Sequence, residues 1–225
     1  MSSRQEEKEQ RKQERLAREA AAAAAAKRKR LLQMIGGVVV ACAILAGGAF
    51  ALGGGGGEDD DGASSAELRA AATRAGCEYR SFPNYGQEHE DKEFTAADYK
   101  TNPPTSGAHL PPGLEAQAGL YIAGNEPKIG AWVHTLEHGR ILFQYRPGSA
   151  PNIPADLEKL YNEDVKGSGG GYHSVLMRNN TKMPYQVAAV AWRHYMVCRE
   201  YKPAVIEAFR EFRNARVDKA PELVP

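Results

Sequence analysis

The sequence carries almost no net charge, since 29 Lys and Arg residues balance 28 Asp and Glu across 225 positions. A net charge of +1 argues against a general nucleic-acid binder, which needs an excess of basic residues to neutralise phosphates. Cysteine is scarce, with three in the chain. Charged residues make up 25% and hydrophobic residues 42%, and these average values exclude wholesale disorder and a polytopic membrane protein.

The charge is distributed unevenly along the chain. Residues 1–30 hold ten Lys or Arg against five Glu, whereas the acidic run Glu58–Asp61 accounts for the net charge of the remaining residues. Strong helix formers dominate residues 1–30, including seven consecutive alanines at Ala20–Ala26. We predict that residues 1–30 form a charged, Ala-rich cytoplasmic tail, either disordered or a solvated helix of the coiled-coil type.

A single long apolar run follows this tail. Residues 31–52 have Gln33 as their only strongly polar member, and a helix of this length spans about 33 Å, enough to cross a bilayer. The basic cluster Lys27–Arg30 precedes the run, and such clusters mark the cytoplasmic flank. We therefore predict a transmembrane helix over residues 31–53, a Gly-rich and acidic linker over residues 54–65, and a single-pass cell-membrane protein whose C-terminal part lies outside.

Two other interpretations of the apolar run were weighed. A cleaved signal peptide has a shorter apolar region of about 7–15 residues, without a charged stretch of 30 residues before it. The string Val39–Cys42 loosely resembles a bacterial lipobox, which would make Cys42 a lipidated N-terminus. The apolar run continues for ten residues beyond Cys42, however, and this continuation favours the membrane anchor.

Residues 66–225 are long enough to form one extracytoplasmic domain with a substantial core. Helical and strand-like patterns occur in no strict alternation, which indicates the α+β class. The predicted helices are Ala66–Ala75, Pro154–Val165 and Ala204–Val217, and the predicted strands are Arg140–Tyr145, His173–Met177 and Gln186–Cys198.

The predicted outer domain contains two cysteines, Cys77 and Cys198. Outside the cytoplasm cysteines tend to oxidise, so we expect a disulfide that closes a loop of about 120 residues and contributes roughly 4–5 kcal/mol. Two buried free thiols and a Cu(I) thiolate site are the alternatives.

All six histidines lie in the predicted outer domain, and His134–His138 has the pattern H-x-x-E-H. On a helix, this spacing places His134 and His138 on one face, where they can share a metal ion with Glu137 as a base. Inverted zinc peptidases carry this pattern inside a long helix, but here Gly139 and a predicted strand follow at once. In an extended segment the two histidines would lie about 13 Å apart, too far to share an ion. A single helical turn before the strand would permit joint ligation.

Several strings resemble the Domain of Unknown Function 3105 family over about residues 75–222. They are Tyr99–His109, Gly119–Tyr121, Val133–Arg140, Ala191–Trp192 and Pro221–Glu222. The resemblance implies a bacterial protein, often anchored by one N-terminal membrane helix, with no established activity. Genes of such proteins sometimes lie beside copper-handling genes, which adds copper to the expected ions.

The proline-rich string Asn102–His109 predicts a rigid loop, because each proline fixes φ and Gly107 permits a turn. Such a loop suits either a preorganised site or a structural element whose hydroxyls cap backbone groups. His109, His134 and His138 together offer three imidazoles, with His89 as a candidate fourth, and this set accommodates copper or zinc.

We rank a metal-binding module first, a metal hydrolase that uses Glu137 second, and a metal-free structural or partner-binding domain third. In the structural alternative, each histidine bonds a local carbonyl or carboxylate. The strand His194–Cys198 alternates His, Met and Cys, but a core strand with a disulfide cysteine is a better interpretation than a copper site. The sequence predicts no particular protein partner, and the membrane is the only partner expected.

Overall fold

A computed structural model describes residues 62–223, with side chains from residue 64 onward. These residues form four α-helices, a short 3-10 helix at Ala96–Asp98 and six strands. The helices are α1 (Gly62–Ala75), α2 (Ile129–Glu137), α3 (Asn152–Tyr161) and α4 (Ala204–Arg216). The strands are β1 (Glu78–Ser81), β2 (Gly119–Leu120), β3 (Ile141–Tyr145), β4 (Ser174–Arg178), β5 (Val187–Ala191) and β6 (His194–Cys198).

The six strands form one mixed sheet in the order β1-β6-β5-β3-β4-β2. The pairs β1/β6, β6/β5 and β5/β3 are antiparallel, whereas β3/β4 and β4/β2 are parallel. The parallel pair β3/β4 is joined by a crossover through α3, as parallel strands require. The predicted α+β class is confirmed.

Both faces of the sheet are buried, and alternate residues of each strand pack on opposite sides. Ile141 and Phe143 of β3 face α1, α3 and α4, whereas Leu142 between them faces α2 and the long loop before it. Because two layers cover the sheet, the central strands β5 and β6 have no exposed residue. The layer that contains α2 also positions the histidines described below.

The predicted elements with clear periodicity occur close to their expected positions. The strand expected over Gln186–Cys198 is a hairpin of β5 and β6, with Arg193 at positive φ in the turn. Helix α1 begins at Gly62, four residues before the expected start, and its buried residues Leu68, Ala71, Ala72 and Ala75 recur at helical spacing.

The predicted tail and membrane helix, residues 1–53, lie outside the described residues. Within residues 62–223, none of the helices combines the length and the apolar character needed to span a bilayer.

A disulfide joins Cys77 to Cys198, as predicted from the sequence. Cys77 lies just before the edge strand β1, and Cys198 is fully buried at the end of β6. The sequence separation of the two cysteines is 121 residues, so the bond restricts most of the domain in the unfolded state. β6 is therefore a buried strand that carries a disulfide cysteine, as predicted for His194–Cys198.

We expect the double variant Cys77→Ala/Cys198→Ala to lose about 5 kcal/mol of unfolding free energy, because the unfolded chain regains the entropy of a 121-residue loop. Urea titration measures this loss and should also show a larger m-value, since the unlinked unfolded chain exposes more surface. Cys42→Ala is the matched control and should leave both quantities unchanged. A loss below about 1 kcal/mol would contradict the loop-closure account.

Candidate metal centre

The proline-rich loop places His109 in the interior. Asn102 Nδ2 donates to the backbone carbonyl of Thr181, and Thr181 Oγ1 donates to Asn102 Oδ1; these two bonds tie the start of the loop to the segment after β4. Gly107 has a φ of 131°, and a Cβ there would lie 3.1 Å from the ring of Tyr99, so the close approach of this ring favours glycine. The loop is therefore held in place from both ends.

The hydroxyl groups of this loop have structural roles. Ser106 Oγ accepts a hydrogen bond from the backbone N–H of Tyr85 at 3.1 Å, and Thr105 pairs with Thr101 at 3.1 Å. Of the loop residues considered from the sequence, His109 is thus the one that serves the candidate site.

His109 is fully buried, and its Nδ1 donates a hydrogen bond to the carbonyl oxygen of Gly107 at 2.8 Å. Because a carbonyl oxygen can only accept, Nδ1 must carry a hydrogen, and Nε2 is the ring nitrogen that can offer a lone pair. This Nε2 lies 2.9 Å from Glu137 Oε2, without an aligned hydrogen bond between the two atoms. Two electron-pair donors at this distance are the arrangement expected of ligands to one cation.

A short backbone pairing with His109 places His89 near Glu137 as well. An isolated parallel bridge joins His89 to His109, with hydrogen bonds from Glu90 N–H to the carbonyl of His109 at 2.8 Å and from His109 N–H to the carbonyl of Glu88 at 2.9 Å. His89 Nε2 lies 3.8 Å from Glu137 Oε2. Its side chain remains about one-third exposed, so this side of the group faces solvent.

Helix α2 supplies His134 and Glu137 from its last turns, and His138 follows as its C-terminal cap. The sequence left open whether H-x-x-E-H is helical or extended, and the structure shows the helical form. Gly139 at φ 79° then directs the chain into β3, and a Cβ at this position would lie 2.9 Å from the Cα of Asp218. The helix is short, but it is long enough to place both histidines on one face.

These side chains form two adjacent groups in the described part of the chain. In the first, ligand atoms of His89, His109, His134 and Glu137 all lie within 4.8 Å of one another. The second group, His134, His138 and Glu222, satisfies the same limit. The ring centroids of His89, His109 and His134 are 4.7–4.8 Å apart, and those of His134 and His138 are 4.5 Å apart.

Four buried polar atoms of these groups have no hydrogen-bond partner in the structure. They are His109 Nε2, His134 Nδ1, His134 Nε2 and Glu137 Oε2. Each such atom costs about 1–3 kcal/mol when it is left unpaired. A cation bound among these atoms would accept lone pairs for which the protein provides no hydrogen-bond donor.

Burial lowers the pKa of His134 to about 4, and the imidazoles of His109, His138 and His89 contribute to the same shift. Burial also lowers the pKa of His138, with Arg140 acting in the same direction. Both rings are therefore neutral near pH 7, which is the form that binds metal ions.

A cleft of about 610 Å³ is lined by residues that include Leu110, Glu115 and Ala131, but none of the candidate ligands lines it. Backbone hydrogen bonds lower the pKa of Glu115, and the nearby His134 and His138 contribute to this shift. Glu115 therefore adds negative charge near His134 and His138.

The other two histidines have different partners. His173 Nδ1 lies 2.6 Å from Asp218 Oδ1, and His194 Nδ1 is hydrogen-bonded to the hydroxyl of Tyr79 at 3.0 Å. Arg216 donates to the same hydroxyl at 2.6 Å. Burial, together with Arg216 and Arg193, lowers the pKa of His194 to about 3, so this ring is a neutral part of the core.

The structure thus brings His89, His109 and His134 together and places His138 in the second group, next to His134. Sequence reasoning did not identify Glu222, and it assigned Glu137 to catalysis alone. The signal for Glu222 was its place in the string Pro221–Glu222, which contributed to the family resemblance but was not connected with the histidines.

A family model matches residues 90–223, which include most of the sheet, α2 and all of the candidate ligands except His89. The chain therefore belongs to the family described as protein of unknown function, DUF3105. No curated protein and no solved structure matches the chain.

Two buried histidines allow a test of the unpaired atoms. We expect His134→Leu to raise the unfolding free energy of the metal-free protein by about 1 kcal/mol, because it removes two buried nitrogens that lack partners. His194→Leu is the matched control and should lower it by about 1–3 kcal/mol, since it removes the ring that is hydrogen-bonded to the hydroxyl of Tyr79. Chemical denaturation in the presence of a chelator measures both changes, and a loss of stability in His134→Leu equal to that in His194→Leu would contradict this account.

Proposed function

We propose that this protein binds a divalent transition-metal ion through His89, His109, His134 and Glu137. The proposal is carried by the four buried atoms without partners, all of which belong to three of these residues. A cation at their centre would bind three of these four atoms, one of them a ring nitrogen of His134, and would replace their unfavourable desolvation with metal–ligand bonds. His89, the partly exposed member, provides the route by which an ion enters.

The donor set narrows the choice of ion. Three imidazole nitrogens and one carboxylate oxygen suit Zn²⁺ in tetrahedral geometry and also suit Cu²⁺. Cu⁺ prefers sulfur ligands, and no cysteine belongs to the two groups formed by the described residues. We therefore propose zinc or Cu²⁺ as the bound ion.

The contrast with His173 and His194 supports a metal over a structural role. Each of these two rings has a partner within 3.0 Å, the carboxylate of Asp218 or the hydroxyl of Tyr79. His134 is as deeply buried as His194, yet neither of its nitrogens has such a partner among the described residues. A histidine retained for structural reasons alone would be expected to resemble His194.

Binding is favoured over hydrolysis by the position of Glu137. In metal peptidases the glutamate beside the two histidines acts as a base and is not itself a ligand. Here Glu137 Oε2 lies 2.9 Å from His109 Nε2, inside the group of ligand atoms. This position suits a ligand, so we propose a metal-binding protein in place of a hydrolase.

Zinc added to the metal-free full chain should stabilise the domain by about 2.7 kcal/mol at a free concentration one hundred times the Kd. Glu137→Gln keeps the shape of the side chain but removes its charge, and we expect it to weaken zinc binding by at least tenfold. Isothermal titration and thermal unfolding at several zinc concentrations measure the two effects.

His173→Gln is the control for this experiment, because it removes a histidine–carboxylate pair outside both groups. It should leave zinc binding unchanged. Equal zinc affinity in the wild type and in Glu137→Gln, or no zinc binding by the wild type, would refute the proposal.

We also propose that the domain is tethered outside the cytoplasm by residues 31–53. The proposal is supported by the basic cluster before this apolar run. The Cys77–Cys198 disulfide supports it too, because such bonds persist in oxidising compartments.

Protease added to intact cells tests this topology. We expect an antibody tag after Pro225 to be lost and a tag before Met1 to survive, because only the C-terminal domain would be accessible. Cells opened with detergent are the control and should lose both tags. Loss of the N-terminal tag alone in intact cells would reverse the orientation.

A further inference from the structure

We infer that the protein holds two metal ions, and that His134 bridges them by binding one ion through each ring nitrogen. The first ion is the one proposed above, so this inference rests on the proposed function. The second ion would be held by His134, His138 and Glu222. The site would therefore belong to the class of dinuclear centres with a shared imidazole.

The two histidines at the centre of the first group differ in a way that indicates the bridge. His109 has one nitrogen occupied by the carbonyl of Gly107, so it can bind a single ion through Nε2. This is the usual arrangement of a metal-binding histidine, whose other nitrogen donates to a protein acceptor. His134 is fully buried with both nitrogens unpartnered, so a single ion would still leave one ring nitrogen unsatisfied.

His134 lies next to histidines of both groups. Its ring centroid is 4.7 Å from that of His109 in the first group and 4.5 Å from that of His138 in the second. His134 is the one residue that both groups contain. A shared ring between two sets of ligands is the geometry that an imidazole bridge requires.

The C-terminal segment positions the remaining ligand of the second group. The backbone N–H of Glu222 donates to the carbonyl of Glu137 at 3.2 Å, and Asp218 N–H donates to the carbonyl of Gly139 at 2.8 Å. These bonds hold the segment against the end of α2, where Glu222 Oε2 lies 3.8 Å from His138 Nε2.

The charges on this side favour a second cation. Glu222 belongs to the second group, and the ionised carboxylate of Glu115 lies near both His134 and His138. Glu222 is more than half exposed, so the second site is open to solvent, whereas the first is largely enclosed. We expect the second ion to exchange faster than the first.

The bridge forms as the two ions bind one after the other. The neutral ring of His134 binds the first ion through the lone pair of one nitrogen. The second ion then replaces the hydrogen on the other nitrogen, and that proton passes to solvent. His134 becomes an imidazolate with one lone pair on each ion, and no oxidation or reduction takes place.

Copper loading of the full chain tests the bridge, because two Cu²⁺ ions joined by an imidazolate couple magnetically. We expect elemental analysis to give two Cu²⁺ per chain and the low-temperature paramagnetic resonance signal to account for less than half of the bound copper. Glu222→Gln removes an exposed ligand and should not disturb the fold. It should bind one Cu²⁺ with a signal that accounts for all of the bound copper.

His173→Gln is the matched control against copper bound at the surface pair His173–Asp218, and it should behave as the wild type does. Two ions with a fully additive signal would overturn the bridge, and so would equal stoichiometry in the wild type and in Glu222→Gln. If a single ion binds and is lost in Glu137→Gln, the result supports the proposed function and refutes the second site. If no ion binds, the result refutes both.

Discussion

A buried nitrogen or oxygen without a hydrogen-bond partner destabilises a folded protein, and this fold gathers four such atoms at the end of one short helix. The rest of the domain must offset that cost in the absence of an ion. It does so through a sheet covered on both faces and through a disulfide that closes a 121-residue loop. The free energy contributed by the sheet and the disulfide thus allows the domain to fold although these four atoms lack hydrogen-bond partners.

The elements that were predicted correctly are those whose hydrophobic pattern matches their environment. Helix α4 has one buried face, with Val205, Phe209 and Phe212 at helical spacing, and its predicted bounds differ from the observed ones by a single residue. The sequence did not decide whether the segment of α2 is helical, because Gly130–Glu137 are all buried and no polar face marks the helical period. Strand β1 has four residues and one buried side chain, too little for a strand pattern.

The candidate ligands were predicted in part, for reasons that differ between residues. His109, His134 and His138 stand in dense local motifs, so their residue types and spacing were sufficient to select them. The contribution of His89 depends on a backbone pairing with His109, which has no signature in a single sequence. Glu222 is a more than half-exposed glutamate 84 positions after His138, and only the three-dimensional path of the C-terminal segment brings it near. The division of the histidines into two groups likewise depends on ring positions.

The candidate ligands come from chain positions between His89 and Glu222, and Glu222 follows helix α4 in the chain. During synthesis the N-terminal part of the domain emerges first, and long-range contacts form late. The second group of side chains therefore cannot assemble until α4 and the segment that follows it have been synthesised. Until then, an ion arriving early would find the loop and helix histidines but not the carboxylate that completes the set.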